Sequence, residues 1–254
     1  MTRTKIGSAK VVDRVVENAV LCSLLFLFAA ATVYLSRKSQ PQFMQLCMED
    51  GPVENAQFVA YFIAGCLMIY HAARNKPNGG LWLFGVFFLL IFGEEISWGQ
   101  RIFHDATPQA LAAVNVQGET NVHNLKWING IVRLVGSSIF LGTFVVIPLA
   151  QRLSLTRWLI DRLRLPVAPF WSTFAFVVGL GFMIYTRVMP HLPYGYDEIG
   201  ELMFAIAALG LAIRGVSKPN SRRGSTGEVG EPMTQAAPPL NTLVEAGAVP
   251  KRHV

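Results

Sequence analysis

Charged residues are scarce in this sequence. Asp, Glu, Lys and Arg make up only 15% of the 254 residues, whereas hydrophobic residues make up 52%. Globular chains carry about 25% charged residues, so this composition predicts a membrane protein. The basic residues are spread over termini and connections and form no continuous stripe. This argues against a nucleic-acid partner and favours membrane lipids as the surroundings of the chain.

Several catalytic and metal-binding motifs are absent from the sequence. The three cysteines, Cys22, Cys47 and Cys66, form no CxxC pair, so neither a disulfide framework nor a zinc ribbon is supported. There is no HExxH motif, which excludes a zincin, and no GxSxG motif surrounds Ser97. Protein partners are not indicated by any motif.

Long apolar runs predict an all-α, polytopic membrane helix bundle of about six transmembrane helices, because about 20 helical residues cross the hydrocarbon core. The predicted spans are residues 16–35, 55–73, 81–103, 127–150, 167–188 and 197–215. Residues 1–14 form a cytoplasmic segment, 15–216 the transmembrane domain, and 217–254 a disordered cytoplasmic tail rich in Ser, Pro, Gly and Thr. Close helix packing is predicted at the glycines of the later spans: Gly136, Gly142, Gly179 and Gly181.

Lys and Arg are distributed unevenly between the predicted connections. Most lie in the N-terminal segment, residues 74–76, residues 151–166 and the tail, so we predict that both termini are cytoplasmic. Residues 151–166 also have an apolar helical stripe, which is typical of a helix in the membrane interface. This topology gathers most acids and three histidines at the extracytoplasmic face. They are Glu49, Asp50, Glu54, Glu94, Glu95, Asp105, Glu119, Asp197, Glu198 and Glu201, with His104, His123 and His191.

The stretch GEEISWGQR, residues 93–101, places two carboxylates late in the third predicted span. A charge near the bilayer centre costs roughly 2.5–3.5 kcal/mol on insertion scales, so such residues face a protein interior or a wet cavity. The helix dipole is negative at this end, so capping does not explain Glu94 and Glu95. It does explain the acids of a first turn, such as Glu54, Asp197, Glu198 and Glu201.

Helical spacing predicts a shared face for Glu94, Ser97, Trp98 and Arg101, with Glu95 pointing elsewhere. Two interpretations of this face stay open. It is either a buried Glu94–Arg101 ion pair that fixes helix packing or a functional site.

Glu119 and His123 stand four residues apart, and a helix would aim both side chains at one point. Zinc accepts His nitrogen and carboxylate oxygen ligands, so we predict a possible Zn²⁺ site at this face. Its candidate ligands are His123, Glu119, His104 and His191. The alternative is a solvated, hydrogen-bonded loop.

Residues 93–101, together with Asn115, Gln117, Glu119, His123 and Asn124, resemble a group of bacterial multi-pass membrane proteins. The resemblance implies an integral protein of the bacterial cytoplasmic (inner) membrane, and it implies no activity. The chain is also loosely similar to ceramidase-type membrane hydrolases, which gather Ser, Asp and His around zinc near one membrane face. It differs from them in having six predicted spans rather than seven and no paired His motif late in the chain.

Three functions remain open at this stage. The first is a metal-dependent hydrolase or transferase that acts on a lipid or a lipid-presented substrate. Its predicted catalytic residues are Glu94, Glu95 and Arg101, and its predicted substrate contacts are Arg101, Trp98, Gln100, Asn115 and Gln117. The second is a proton- or cation-coupled transporter in which Glu94 and Glu95 titrate. The third is a non-catalytic membrane assembly factor.

Overall fold

The computed structural model describes residues 2–74, 78–189 and 195–216. These residues form helices and no strand. The helices are α1 Thr2–Lys38, α2 Gln40–Cys47, α3 Pro52–Arg74, α4 Gly79–Glu95, α5 Gln100–Phe103, α6 Gln109–Ala112, α7 Asn129–Leu141, α8 Ile147–Ala150, α9 Ser154–Leu163, α10 Phe170–Val188 and α11 Tyr196–Val216. A 3₁₀ turn, Ser97–Gly99, follows α4, and a π-helical turn, Gly142–Val146, joins α7 to α8. The tail predicted to be disordered, residues 217–254, lies outside the described residues.

Within the described part of the chain, four helical stretches are long and apolar enough to cross a membrane. They are Val11–Lys38, Gln40–Arg74, Asn129–Ala150 and Phe170–Val188. Their outer surfaces suit lipid, since side chains such as Phe26 (62% exposed) and Leu134 (70% exposed) are uncovered. The prediction of an all-α protein is therefore confirmed. The third and sixth predicted spans, α4 and α11, are not among these four helices.

Pairs of glycines let the central helices approach closely. A Cβ atom on Gly179 of α10 would lie 2.6 Å from the carbonyl oxygen of Gly200 in α11. Gly65 of α3 and Gly85 of α4 face each other similarly, with 3.0 Å between a Cβ on Gly65 and the Gly85 carbonyl oxygen. The predicted role of Gly179 in helix packing is confirmed. The same prediction is wrong for Gly136, Gly142 and Gly181, because a Cβ atom at each would lie in open space.

Several helix ends meet at one end of the bundle, which we call the polar end. The hydroxyls of Ser36 in α1 and Tyr196 in α11 are hydrogen-bonded, and Tyr185 in α10 packs edge-on against Tyr196. Gln57, near the start of α3, contacts Glu95 at the end of α4. The polar end therefore contains the ends of α1, α4 and α10 and the beginnings of α3 and α11.

The helix that contains Glu94 is shorter than the predicted third span. It ends at Glu95, and the next residues turn sharply, with φ of 47° at Ser97, 54° at Trp98 and 96° at Gly99. Only glycine adopts such left-handed conformations without a steric cost. The predicted continuous helix to residue 103 is thus wrong, and so is the single helical face from Glu94 to Arg101.

Candidate functional site

The adjacent carboxylates of Glu94 and Glu95 point in different directions from the end of α4. Successive residues of a helix are separated by about 100° of rotation, so two neighbours cannot share a partner on one face. Glu94 contacts the loop before α7, whereas Glu95 contacts Gln57 in α3. The prediction that Glu95 points away from the face of Glu94 is confirmed. The polar end therefore contains two separate hydrogen-bond networks.

Glu94 holds the loop of residues 113–126 against α4. Its Oε2 atom accepts the backbone N–H groups of Val122 at 2.8 Å and His123 at 2.9 Å, and it lies 3.2 Å from the Nδ1 atom of His123. The other oxygen, Oε1, accepts the indole N–H of Trp98 at 2.7 Å. The partly exposed carboxylate thus joins the two sequence motifs. Of its predicted partner Arg101, the backbone is described but not the side chain.

The left-handed turn after α4 directs Ser97 into the loop. Its hydroxyl is 1% exposed and donates to Oε2 of Glu119 at 2.9 Å, while the Asn121 amide donates to the same carboxylate oxygen at 2.6 Å. Gln100 accepts the backbone N–H of Thr120 at 2.7 Å and donates to Thr107. Side chains from the 3₁₀ turn and from α5 therefore hold this loop, and that of Gln100 satisfies one of its backbone N–H groups.

Asparagine and glutamine side chains shape the loop itself. Asn115, 3% exposed, accepts the backbone N–H groups of Gln117 at 2.9 Å and Glu119 at 3.2 Å and donates to the carbonyl of Asn121 at 3.0 Å. The amide of Asn124 donates to the side chain of Gln117. The predicted substrate contacts Asn115 and Gln117 thus participate in loop structure. Asn121 and Asn124 also donate to side chains of the loop, which agrees with the predicted alternative of a hydrogen-bonded loop.

The predicted helical arrangement of Glu119 and His123 is wrong. Residues 116–120 are bends, not a helix, and the two side chains bind different partners: Ser97 and Asn121 for Glu119, and Glu94 for His123. Over residues 2–74, 78–189 and 195–216, no three His, Cys, Asp or Glu side chains cluster in a way that could hold a metal ion. His104 is exposed beyond α5, and His191 lies outside the described residues. The zinc site stays a prediction.

A second network joins α3, α4 and α11. We call its two acids, Glu95 and Glu201, the carboxylate pair. The amide nitrogen of Gln57, in α3, donates to Oε2 of Glu95 at 3.0 Å and to Oε2 of Glu201, in α11, at 3.3 Å. Gln57 is 1% exposed, and its Oε1 atom has no hydrogen-bond partner among the described residues. Tyr61, one turn later on α3, is 3% exposed. Two acids from different helices thus converge on one buried amide.

Sequence reasoning missed Gln57 and assigned Glu201 to the helix dipole. Asp197 and Glu198 do lie in the first turn of α11, and Glu54 accepts the backbone N–H of Asp50 at 2.6 Å at the start of α3, as predicted for these acids. Glu201 lies a turn further along, where the dipole effect has largely decayed. The signal for Gln57 is its amide in an otherwise apolar predicted span, the same kind of signal that identified Glu94.

The fold and the polar end define an α-helical protein with several helices suited to a membrane and with buried polar groups at one end of its bundle. No family model matches the chain, and no curated protein or solved structure matches it. The resemblance of residues 93–101 and the loop to bacterial membrane proteins therefore stays a prediction.

Proposed function

We propose that this chain is a six-span protein of the bacterial cytoplasmic membrane that couples transport of a solute to binding of a proton, or of another small cation, at Glu95 and Glu201. The observation that carries this proposal is the convergence of both carboxylates on the buried amide of Gln57. The solute is not identified by the site.

The carboxylate pair is suited to binding and releasing a proton or another small cation. Glu95 and Glu201 are both half-buried, and two carboxylates held close together do not both ionise readily, so they favour one shared proton or one bound cation. Gln57 donates to both acids, which leaves its buried Oε1 atom as a further oxygen that can accept a hydrogen bond or ligate a cation. Ionisable groups inside membrane helices commonly mark such proton and ion pathways.

The order of helix ends supports six crossings. α1 ends at the polar end, α3 leaves it, α4 returns to it, α7 leaves it after the loop that Glu94 holds, α10 returns to it and α11 leaves it. The 17 residues of α4 reach about 25 Å, close to the roughly 30 Å of a hydrocarbon core. Arg74 and Arg152 lie at the opposite end of the bundle, which favours cytoplasmic termini.

Protonation of the carboxylate pair can be measured without knowing the solute. The purified protein in liposomes is titrated, and infrared difference spectra are recorded in the region of the protonated carboxyl group. We expect a band that is lost in both Glu95→Gln and Glu201→Gln, while the neighbouring Glu94→Gln and the exposed Asp105→Asn retain it. A panel of solutes is then tested for uptake under an imposed proton or sodium gradient. Spectra and gradient-driven uptake unchanged in Glu95→Gln would refute the proposal.

The contact between Glu94 and His123 favours a second candidate, a hydrolase or transferase that acts on a lipid-presented substrate. The carboxylate lies 3.2 Å from Nδ1 of an imidazole that is 31% exposed, and such a pair can orient the ring as a general base. A zinc ion at this face would activate water, but two of its predicted ligands, Glu119 and His123, would first have to leave their separate partners, Ser97 and Glu94. Metal analysis and ester hydrolysis by the wild type and His123→Gln test this candidate. Absence of both metal and hydrolysis in folded protein counts against it.

A further inference from the structure

A cleft of about 450 Å³ opens at the end of the bundle opposite the carboxylate pair. Its walls include Val145 and Leu149, from the π-helical turn and α8, and Val177 from α10. Arg152 and Arg157, from the turn before α9 and from α9 itself, also line it. The cleft thus combines apolar walls with two cations.

The depth of the cleft matches the layers of a membrane. Val177 lies seven residues into α10, or about 10 Å along its axis. Apolar walls at that depth lie within the hydrocarbon, whereas Arg152 and Arg157 lie where the helices end and lipid headgroups begin. Arg152 and Arg157 therefore lie at headgroup level above an apolar slot.

Local hydrogen bonds fix the walls of the cleft. The hydroxyl of Thr173 in α10 donates to the carbonyl of Phe144 at 2.8 Å, which joins α10 to the π-helical turn. The hydroxyl of Thr156 donates to the carbonyl of Ala150, which fixes the turn that contains Arg152. π-Helical turns are uncommon and frequently lie at functional sites. These hydrogen bonds therefore fix both the apolar wall and the turn that contains Arg152.

Helix α9 has an exposed apolar stripe that suits the membrane surface. Leu155 is 82% exposed and Trp158 64% exposed, and they belong to the apolar stripe, while Ile160 is buried on another face. Arg157 is about 160° around the helix from Leu155 and from Leu159, away from that stripe. The stripe can enter lipid while Arg157 lines the cleft. Asp161, the acid four residues after Arg157, is not part of the cleft lining.

We propose that this cleft binds one anionic phospholipid, with its phosphate between Arg152 and Arg157 and an acyl chain along Val145, Leu149 and Val177. Guanidinium groups bind phosphate through paired hydrogen bonds, which supplies the headgroup specificity. A pocket of this volume is in the range of small-molecule sites. The site is separate from the carboxylate pair and does not depend on its function.

Lipid retention by the purified full-length chain tests the proposal. Native mass spectrometry in detergent, with phosphatidylglycerol or phosphatidylcholine added, gives the apparent affinity for each lipid. We expect preferential binding of phosphatidylglycerol, and a loss of about fivefold in its affinity for each of Arg152→Gln and Arg157→Gln. The control Arg162→Gln, an exposed arginine of α9 outside the cleft lining, retains the wild-type affinity.

Further variants separate a lipid site from simpler explanations. Val177→Trp fills the apolar slot and lowers lipid affinity while both arginines remain, and Arg157→Lys restores part of the binding lost in Arg157→Gln. Size-exclusion profiles and thermal unfolding establish that each variant is folded. Three outcomes overturn the proposal: equal affinity for both lipids, equal losses in Arg162→Gln and Arg157→Gln, or displacement of the lipid by inorganic phosphate at equal concentration. The last result would indicate a free-phosphate site.

Discussion

Glu94 and Glu95 are neighbours in the chain, yet their carboxylates belong to different hydrogen-bond networks. Oε2 of Glu94 accepts the backbone N–H of His123 at 2.9 Å, whereas Oε2 of Glu95 accepts from the side chain of Gln57 at 3.0 Å. The first contact holds a loop to the end of α4, and the second lies between helices. Substitutions at the two positions should therefore have different consequences.

Removal of the Glu94 carboxylate should destabilise the loop of residues 113–126. In Glu94→Ala the N–H groups of Val122 and His123 and the indole N–H of Trp98 lose their acceptor. We expect a loss of about 1–3 kcal/mol in the free energy of unfolding, because hydrogen bonds to a charged acceptor are lost. Faster amide hydrogen exchange at residues 119–124 would accompany the lower thermal stability.

Asp105→Asn is the matched control for the loss of stability in Glu94→Ala, since Asp105 is an exposed carboxylate between α5 and the loop. It should leave both the stability and the exchange rates unchanged. Wild-type exchange in the Glu94→Ala loop would contradict the proposed anchoring role.

Glu95 and Glu201 should be coupled energetically. At alkaline pH, where the shared proton is lost, replacing either acid by Gln removes the repulsion between the carboxylates, so the second replacement should stabilise the protein less than the first. A double-mutant cycle measured by thermal unfolding should give a coupling free energy of about 0.5–3 kcal/mol. The corresponding cycle for Glu95 and Asp105 should be additive. Additivity for Glu95 and Glu201 would mean that their charges do not interact.

Alanine at two glycines of α10 should change stability in opposite directions. Gly179→Ala places a methyl group 2.6 Å from the carbonyl oxygen of Gly200, so we expect a loss of about 1–3 kcal/mol. Gly181 has nothing within 4 Å of the same position, so Gly181→Ala should gain up to about 1 kcal/mol from the higher helix propensity of alanine. Thermal unfolding of the two variants in one detergent measures both effects. Equal destabilisation would argue against close contact between α10 and α11.

Ser97 should act as a structural hydroxyl. It is 1% exposed and donates to Glu119, so Ser97→Ala should cost about 1–3 kcal/mol of stability. Fluorophosphonate probes, which label activated serines, should not modify this residue in the folded protein. Labelling that disappears in Ser97→Ala would instead identify a nucleophile.

The apolar pattern predicts most helices because each one depends on residues close together in the chain. The depth of Glu94 and Glu95 in an apolar run also identifies the polar end, because that argument needs only local sequence. The prediction of one long helix is wrong because Ser97 and Trp98 adopt a left-handed backbone conformation. Neither residue type indicates a positive φ. Their conformation depends on the loop that docks there.

The carboxylate pair could not be predicted from local patterns. Its two acids lie 38 and 144 residues from Gln57 in the chain, and the three side chains belong to three different helices. Helix spacing indicates which residues share a face of one helix, but not which faces meet. The same limit explains why Glu119 and His123, spaced as helical neighbours, lie in a non-helical loop with different partners.

The arrangement of the carboxylate pair also sets an order of assembly. Domains and helices emerge from the ribosome N-terminal first, so α3 and α4 are synthesised before α11. Gln57 and Glu95 can therefore meet while Glu201 has yet to be made. The pair is completed only when α11 packs against α3 and α10, so a nascent chain that has not inserted α11 lacks the second acid. Because α11 is made last among these helices, it is the helix that completes the carboxylate pair.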